Sequence, residues 1–160
     1  MNKRSSLFYI SYSLFLICFA TSCKQVNLYE RIENVPKAEW RSDFKPSFSF
    51  DIQDTAALYN LFVTVRHTNT YPYSNIWLLA SLQLPGDSAK EQKLELPLAG
   101  TDKWLGVGMD DIYEHRIPLL SKPVQFKHSG TAAFSLQNIM RQDPLPGIMQ
   151  VGFRIEKVQQ

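Results

Sequence analysis

The sequence predicts an all-β fold, a single antiparallel β-sandwich with a jelly-roll-like arrangement of about seven or eight strands. Three observations lead to this prediction. Apolar and polar residues alternate with a period of two in several stretches, segments containing glycine or proline separate those stretches, and none shows sustained helical spacing. Many short strands with turn signals between them are typical of a sandwich, although a closed barrel would give much the same pattern.

The strand predictions rest on that alternation. The first strand spans residues 44–53, where Phe48, Phe50 and Ile52 would share one buried face. Turn signals lie at residues 85–88, 129–130 and 143–147. The other predicted strands are residues 59–66, 76–84, 93–98, 112–119, 124–128, 131–136 and 149–157.

The N-terminus has the features of a secretory signal peptide. Lys3 and Arg4 precede an uncharged, mostly apolar run over residues 7–20. That run is shorter than the roughly 20 residues that a membrane-spanning helix needs, but it suits an export signal. We therefore expect residues 1–22 to be removed and to take no part in the fold.

A lipid attachment site is predicted at Cys23. The segment Ala20-Thr21-Ser22-Cys23 places small residues before a cysteine, as bacterial lipoprotein-processing enzymes require, although Ala20 replaces the usual leucine. Stable anchoring takes more than one acyl chain, and a bacterial lipoprotein carries several on its first cysteine. The alternative is an ordinary signal peptide cleaved nearby, which would leave Cys23 as a free thiol.

Composition limits the mature chain further. Cys18 lies in the signal, so Cys23 is the one cysteine left and no internal disulfide can form. The 138 residues that remain of 160 are enough for one hydrophobic core. Without Lys3 and Arg4 the chain has 15 basic and 15 acidic residues, and this balance argues against a nucleic-acid partner or electrostatic docking on anionic lipid.

The expected organisation is a signal peptide (1–22), a lipidated N-terminus with a tether (23–43), and a β-sandwich domain (44–160). Residues 24–43 mix charged and apolar residues without a clear period. We interpret them as a tether that becomes packed where Trp40 docks on the domain.

The densest cluster of polar residues is a candidate active site. Asp110, Asp111, Glu114 and His115 could together serve a hydrolase or hold a metal. On a strand, however, Glu114 and His115 point to opposite faces, so we interpret the segment as a loop entering a strand. The preceding glycines, at 106 and 108, lack the context of a phosphate-binding loop and predict a turn or bulge.

No metal, cofactor or catalytic residue is expected. His67, His115 and His128 lie on separate predicted strands and lack the spacing of a zinc site. We predict a protein without enzymatic activity or a small-molecule substrate.

Aromatic residues give the candidate interface, which comprises Tyr71, Tyr73, Asn75 and Trp104. Two tyrosines in a proline-containing loop, with Trp104 near them, would form a flat platform for a partner protein or for a sugar ring. A carbohydrate-binding sandwich is therefore the alternative function. A third interpretation is that these rings cap one end of the core.

The whole mature chain resembles the gliding-motility lipoprotein GldH family of the Bacteroidota. The resemblance is carried by Trp40, residues 48–52, Tyr59-Asn60-Leu61 with Arg66-His67, residues 71–77, residues 104–108 with 111–114, residues 138–141, residues 145–148, and Val151-Gly152.

The resemblance implies a non-enzymatic envelope lipoprotein linked to gliding motility and to the associated protein-secretion machinery. Such a protein would act as a scaffold or assembly factor through protein contacts, with no catalytic residues known. Lys24 stands where an aspartate retains lipoproteins in the inner membrane of many enteric bacteria, so we expect outer-membrane residence.

Overall fold

A computed structural model describes residues 28–158, and the predicted signal peptide and Cys23 lie outside this range. Residues 28–158 form twelve strands and one short 3-10 turn, Pro36–Ala38. The strands are β1 (Leu28–Asn34), β2 (Glu39–Trp40), β3 (Ser47–Ile52), β4 (Leu58–Thr68), β5 (Asn75–Gln83), β6 (Lys90–Pro97), β7 (Val107–Met109), β8 (Ile112–Pro118), β9 (Val124–Gln125), β10 (Gly130–Asn138), β11 (Leu145–Pro146) and β12 (Ile148–Lys157).

Two antiparallel sheets form the body of the domain. The larger has the order β1-β12-β4-β8-β7, with β9 paired to the start of β4. The smaller has the order β3-β10-β5-β6, and β2 pairs with β11 in a separate two-residue ladder. The prediction of an all-β antiparallel sandwich is confirmed.

The core lies between the two main sheets. The ring centroid of Phe153, on β12, lies 4.3 Å from that of Phe134 on β10 and 5.1 Å from that of Phe50 on β3. Inward residues of β4 such as Val63 and Val65 are fully buried beside them. Burying such side chains contributes about 1.5–3 kcal/mol each, so this core can hold the domain together without disulfides.

The sandwich has two distinct ends. Leu28 pairs with Glu156 at what we call the N-terminal end, where the turns after β3, β5 and β8 also lie. The opposite end, which we call the aromatic end, contains Tyr71 and the turn between β7 and β8. β4 connects the two, and its 11 residues span about 35 Å at roughly 3.3 Å each.

The predicted tether is packed from residue 28 onward, so the ordered fold begins before the expected boundary at residue 44. β1 pairs with β12 along its whole length. Trp40 is fully buried, and its Nε1–H donates to the carbonyl of Phe44 at 2.9 Å. β1 was not predicted because it is an edge strand, and its charged residues Glu30, Arg31 and Glu33 interrupt any apolar alternation.

All eight predicted strands are present, but the total of seven or eight was too low. β1, β2, β7 and β11 were missed. Three of these have only two or three residues, which is too short to show a period. Within residues 28–158 no helix has the length and hydropathy that a bilayer span requires.

Candidate functional site

His67 is the centre of an aromatic cluster at the aromatic end. Its ring centroid lies 4.4 Å from that of Trp104, 5.3 Å from Tyr71, 5.8 Å from Tyr113 and 4.9 Å from His115. These rings come from β4, β8 and the two loops that follow β4 and β6. The cluster therefore joins the two sheets at this end.

The two histidines form a buried hydrogen-bonded pair. Nδ1 of His67 lies 2.7 Å from the carbonyl oxygen of Thr68, so this nitrogen carries a proton and donates it. The Nε2 atoms of His67 and His115 are 2.9 Å apart. Because Nε2 of neutral His67 can only accept, His115 carries its proton on Nε2 and donates to His67.

Burial keeps both imidazoles neutral at pH 7. It lowers the pKa of His67, and it lowers the pKa of His115 to about 4, with charge on His67 as a second cause. A proton added to the pair would have to be shared between two rings that are almost inaccessible to water. Within residues 28–158 no group of three or more His, Cys, Asp or Glu side chains is arranged to hold a metal ion.

The predicted acidic cluster is divided by the sheet. Glu114 lies on the outer face of β8 in an ion pair with Arg66, whereas His115 is buried on the inner face. Asp111, which is exposed, accepts a hydrogen bond from Asn69 Nδ2 at 2.6 Å. Asp110 adopts a left-handed turn conformation with φ of 53°. These residues thus serve the β7–β8 turn and the sheet surface separately.

The four candidate interface residues do not form a platform. Tyr71 is only 3% exposed, and its hydroxyl donates to the carbonyl of Asn75 at 2.9 Å. Burial raises the pKa of this Tyr71 hydroxyl. Its assignment to an exposed interface is therefore wrong, and the interpretation that the ring caps the core describes it correctly.

The other three candidates are partly exposed. The Tyr73 hydroxyl donates to Gln142 at 2.7 Å, and Asn75 Nδ2 donates to Glu95 at 2.7 Å. Trp104 contacts Tyr71, as the sequence led us to expect, at a centroid distance of 6.3 Å. The Tyr71 ring makes interplanar angles of 71° with Tyr73 and 48° with Trp104, so these three rings do not form one flat surface.

The most exposed large apolar side chains of the described residues lie immediately after Trp104, on a segment that we interpreted as a turn or bulge. Leu105 is 56% exposed, Val107 81% and Met109 76%. Val107 and Met109 alternate on β7, and Val107 pairs with Glu114, so both lie on the outer face of the larger sheet. The available signal was three apolar residues at every second position around two glycines.

Gly106 lets the chain reach this edge. A Cβ atom there would lie 2.5 Å from the carbonyl oxygen of Glu114 and 2.8 Å from Nε2 of His115. Only glycine allows the backbone to cross so closely over β8. The glycine thus links the exposed segment to the buried histidine pair.

β7 differs from the edges formed by β1 and β6. Those two strands expose alternating acidic and basic side chains, which discourage pairing with other chains. β7 consists of Val107, Gly108 and Met109 and carries no charge. Its outer edge lacks that protection.

Comparison with known proteins places this structure in a family context. A family model described as GldH lipoprotein matches residues 27–155. A protein of Christiangramia forsetii, named gliding motility lipoprotein GldH homolog, is 32% identical in an alignment that covers 95% of this chain and 97% of that protein. The gliding motility lipoprotein GldH of Flavobacterium johnsoniae is also 32% identical, and its alignment covers 85% of this chain and 88% of that protein.

Among solved structures, the infectious bursal disease virus VP2 subviral particle aligns at 13% identity with a TM-score of 0.25. The alignment covers 86% of this chain and 43% of that one. At this TM-score the match has no bearing on the fold or function of the chain.

Proposed function

Because the chain belongs to the GldH lipoprotein family, we propose that it is a lipid-anchored cell-envelope protein of the gliding-motility type, acting as a scaffold or assembly factor through protein contacts. The observation that carries this proposal is the family match across residues 27–155, nearly the whole described domain. The alignment with the Christiangramia forsetii protein extends the similarity over 95% of the chain.

The anchor is Cys23, with residues 1–22 as the signal that export removes. The described chain begins at Leu28, at the N-terminal end of the sandwich. Five peptide links from Cys23 to Leu28 reach at most about 18 Å. The domain is thereby kept close to the bilayer that holds the acyl chains.

In this proposal the protein acts by binding other proteins and catalyses no reaction. The buried histidines are neutral and hydrogen-bonded to each other, and Glu114 is committed to an ion pair on the other face of the sheet. These arrangements support a structural role for His67, His115 and Glu114, which would be the first candidates for catalytic residues. No cofactor enters the proposal.

The membrane is the outer one, and the partners are envelope proteins of the motility or secretion machinery. Lys24 next to the anchor supports this location, since it is not the aspartate that retains lipoproteins in the inner membrane. The exposed, uncharged β7 edge supports a protein partner.

Replacement of the anchor tests this proposal. Cys23→Ser in the full-length chain should abolish labelling by radioactive palmitate and release the protein from the outer-membrane fraction of its native host. The matched control is Cys18→Ser, which removes the other cysteine from within the signal and should leave labelling and fractionation unchanged.

The function itself is read by complementation of a deletion strain. The anchored Cys18→Ser chain should restore wild-type behaviour, and the released Cys23→Ser chain should not. A Cys23→Ser protein that stays unlabelled yet membrane-bound and active would overturn the proposal.

A further inference from the structure

The larger sheet has an open docking edge formed by β7 and by the part of β8 that β7 does not cover. β7 pairs only with residues Ile112, Tyr113 and Glu114 of β8. The outer edge of β8 from His115 to Pro118 has no paired strand among the described residues. An unpaired edge beside exposed apolar side chains is the template to which extended segments add.

A shallow groove follows this open edge. It encloses about 420 Å³ and is lined mainly by apolar side chains, including Leu105, Val107, Ile117 and Pro118. Arg116 also faces it, and its guanidinium approaches Glu114 only at 4.0 Å. Glu114 is already paired with Arg66, so Arg116 can receive a further acidic group.

The chain's own N-terminal segment cannot reach β7. Through the strand register, Leu28 aligns with Asn60 of β4 and Val107 aligns with Arg66, six residues further along that strand. The two residues are also four strand spacings apart across the sheet. These offsets correspond to about 20 Å along and about 19 Å across. The link from Cys23 reaches at most about 18 Å, which is less than this separation.

The same placement limits how the bilayer can meet β7. β1 and β7 are opposite edges of the sheet. If β7 lay on the membrane with the sheet upright, Leu28 would stand about 19 Å above it, and the link to Cys23, which reaches at most about 18 Å, would have to be fully extended. A relaxed link instead turns this edge away from the lipid surface.

A second copy of the chain that pairs through its own β7 is too short a partner, and its longer edges β1 and β6 carry the charges that discourage pairing. Its β7 offers three residues, after which the chain turns at Asp110, and before which it crosses away at Gly106. Pairing of two such strands would leave the β8 groove open. It would also bury far less than the roughly 1,200 Å² of a stable interface.

We propose that β7 and the free edge of β8 bind an extended strand from a different envelope protein, which adds to the larger sheet. The bound strand carries apolar side chains at alternate positions against Val107 and Met109, and an acidic side chain within reach of Arg116. This proposal deepens the proposed function and rests on it, because the anchor at Cys23 is what limits contact of this edge with the chain's own N-terminus and with lipid.

Site-specific photo-crosslinking in the native host tests the proposal with the full-length, lipidated chain. A photoreactive amino acid replaces Val107 in one strain, Met109 in a second, and Ile32 on the β1 edge in a control strain. Strand addition predicts that 107 and 109 capture one segment of one protein, at two positions that are two residues apart. The control at 32 should not capture that segment.

Every other pattern contradicts strand addition. Adducts with a second copy of the chain, adducts with lipid, scattered adducts or no adducts at 107 and 109 would each overturn the proposal. Loss of the anchor is seen separately, by palmitate labelling and fractionation. Failure of the proposed function is therefore distinguishable from failure of the docking edge.

A charge substitution gives the functional arm. The double variant Val107→Lys/Met109→Lys should keep its melting temperature and its membrane fraction, because both side chains are exposed, but should fail to complement the deletion strain. Ile32→Lys is the matched control on the opposite edge and should complement fully. Full complementation by the double variant would contradict the docking edge.

Discussion

His67 and His115 face each other through their Nε2 atoms, 2.9 Å apart, although 48 residues separate them in the sequence. β4 and β8 bring them together by antiparallel pairing, in which Val65 lies opposite His115. Aromatic rings enclose the pair on the inner side of the larger sheet. Several properties of the domain depend on this contact.

Stability should fall on mild acidification. The folded-state pKa of His115, about 4, lies below its ordinary value of 6.5, so between these two pH values the unfolded chain binds a proton that the folded chain does not. The contribution is complete above about pH 6.5 and is lost as the pH falls toward 4. Urea unfolding should show a loss of about 2–3 kcal/mol over this range.

The variant that isolates this effect is His115→Gln, whose stability should depend less on pH over the same window. His128→Gln serves as the control, because it makes the same replacement at an exposed side chain outside the buried pair. Identical slopes for wild type and His115→Gln would contradict the assignment.

Gly106→Ala should destabilise the domain. The added Cβ meets the Glu114 carbonyl at 2.5 Å and His115 at 2.8 Å, so the backbone has to move off β8. We expect a loss of about 1–3 kcal/mol in the free energy of unfolding. Gly100→Ala is the control, since its nearest neighbour lies at an ordinary 3.5 Å, and equal losses for the two variants would contradict the close crossing.

Trp40→Ala should unfold much of residues 28–43, which the sequence suggested were part of a tether. The ring is fully buried, and a change of this size in a core costs about 3–5 kcal/mol. Trp77→Ala, which removes a partly exposed ring, should cost less than half as much by the same urea measurement. A Trp40→Ala loss no greater than that of Trp77→Ala would mean that residues before 44 are not part of the cooperative fold.

Asp111→Asn should leave both function and stability intact. Asparagine keeps the oxygen that accepts from Asn69, and an exposed substitution of this kind changes stability by about 0.5 kcal/mol or less. Complementation and melting temperature should both match wild type. A variant that melts normally but cannot complement would instead favour a hydrolase, and Asp110→Asn would then show whether the neighbouring carboxylate shares the role.

The alternation of Phe48, Phe50 and Ile52 made β3 predictable, because a half-buried strand shows its inner face directly in the sequence. β1 could not be predicted in the same way. An edge strand with solvent along one side tolerates charges at successive positions, so Leu28–Asn34 reads like a linker.

The candidate site was harder to predict than the fold. The spacing of His67 and His115 has no local signature, because their contact is made by strand register and not by sequence separation. Tyr71 follows a strand in a loop with Pro72, and such loops usually lie on the surface. The fold instead turns that ring inward, where the backbone carbonyl of Asn75 accepts a hydrogen bond from its hydroxyl. The exposed edge at Val107 was missed because its two neighbouring glycines indicated a turn, although Leu105, Val107 and Met109 alternate.

The pairing of β1 with β12 determines how the domain bears tension. β1 begins at Leu28, so a pull on that residue along the strand axis is resisted by the hydrogen bonds of seven residue pairs together, in shear. A peeling geometry would instead break them one after another. Load between Leu28 and the far end of the molecule passes through this seam into β12 and then into β4, the middle strand of the order β1-β12-β4-β8-β7.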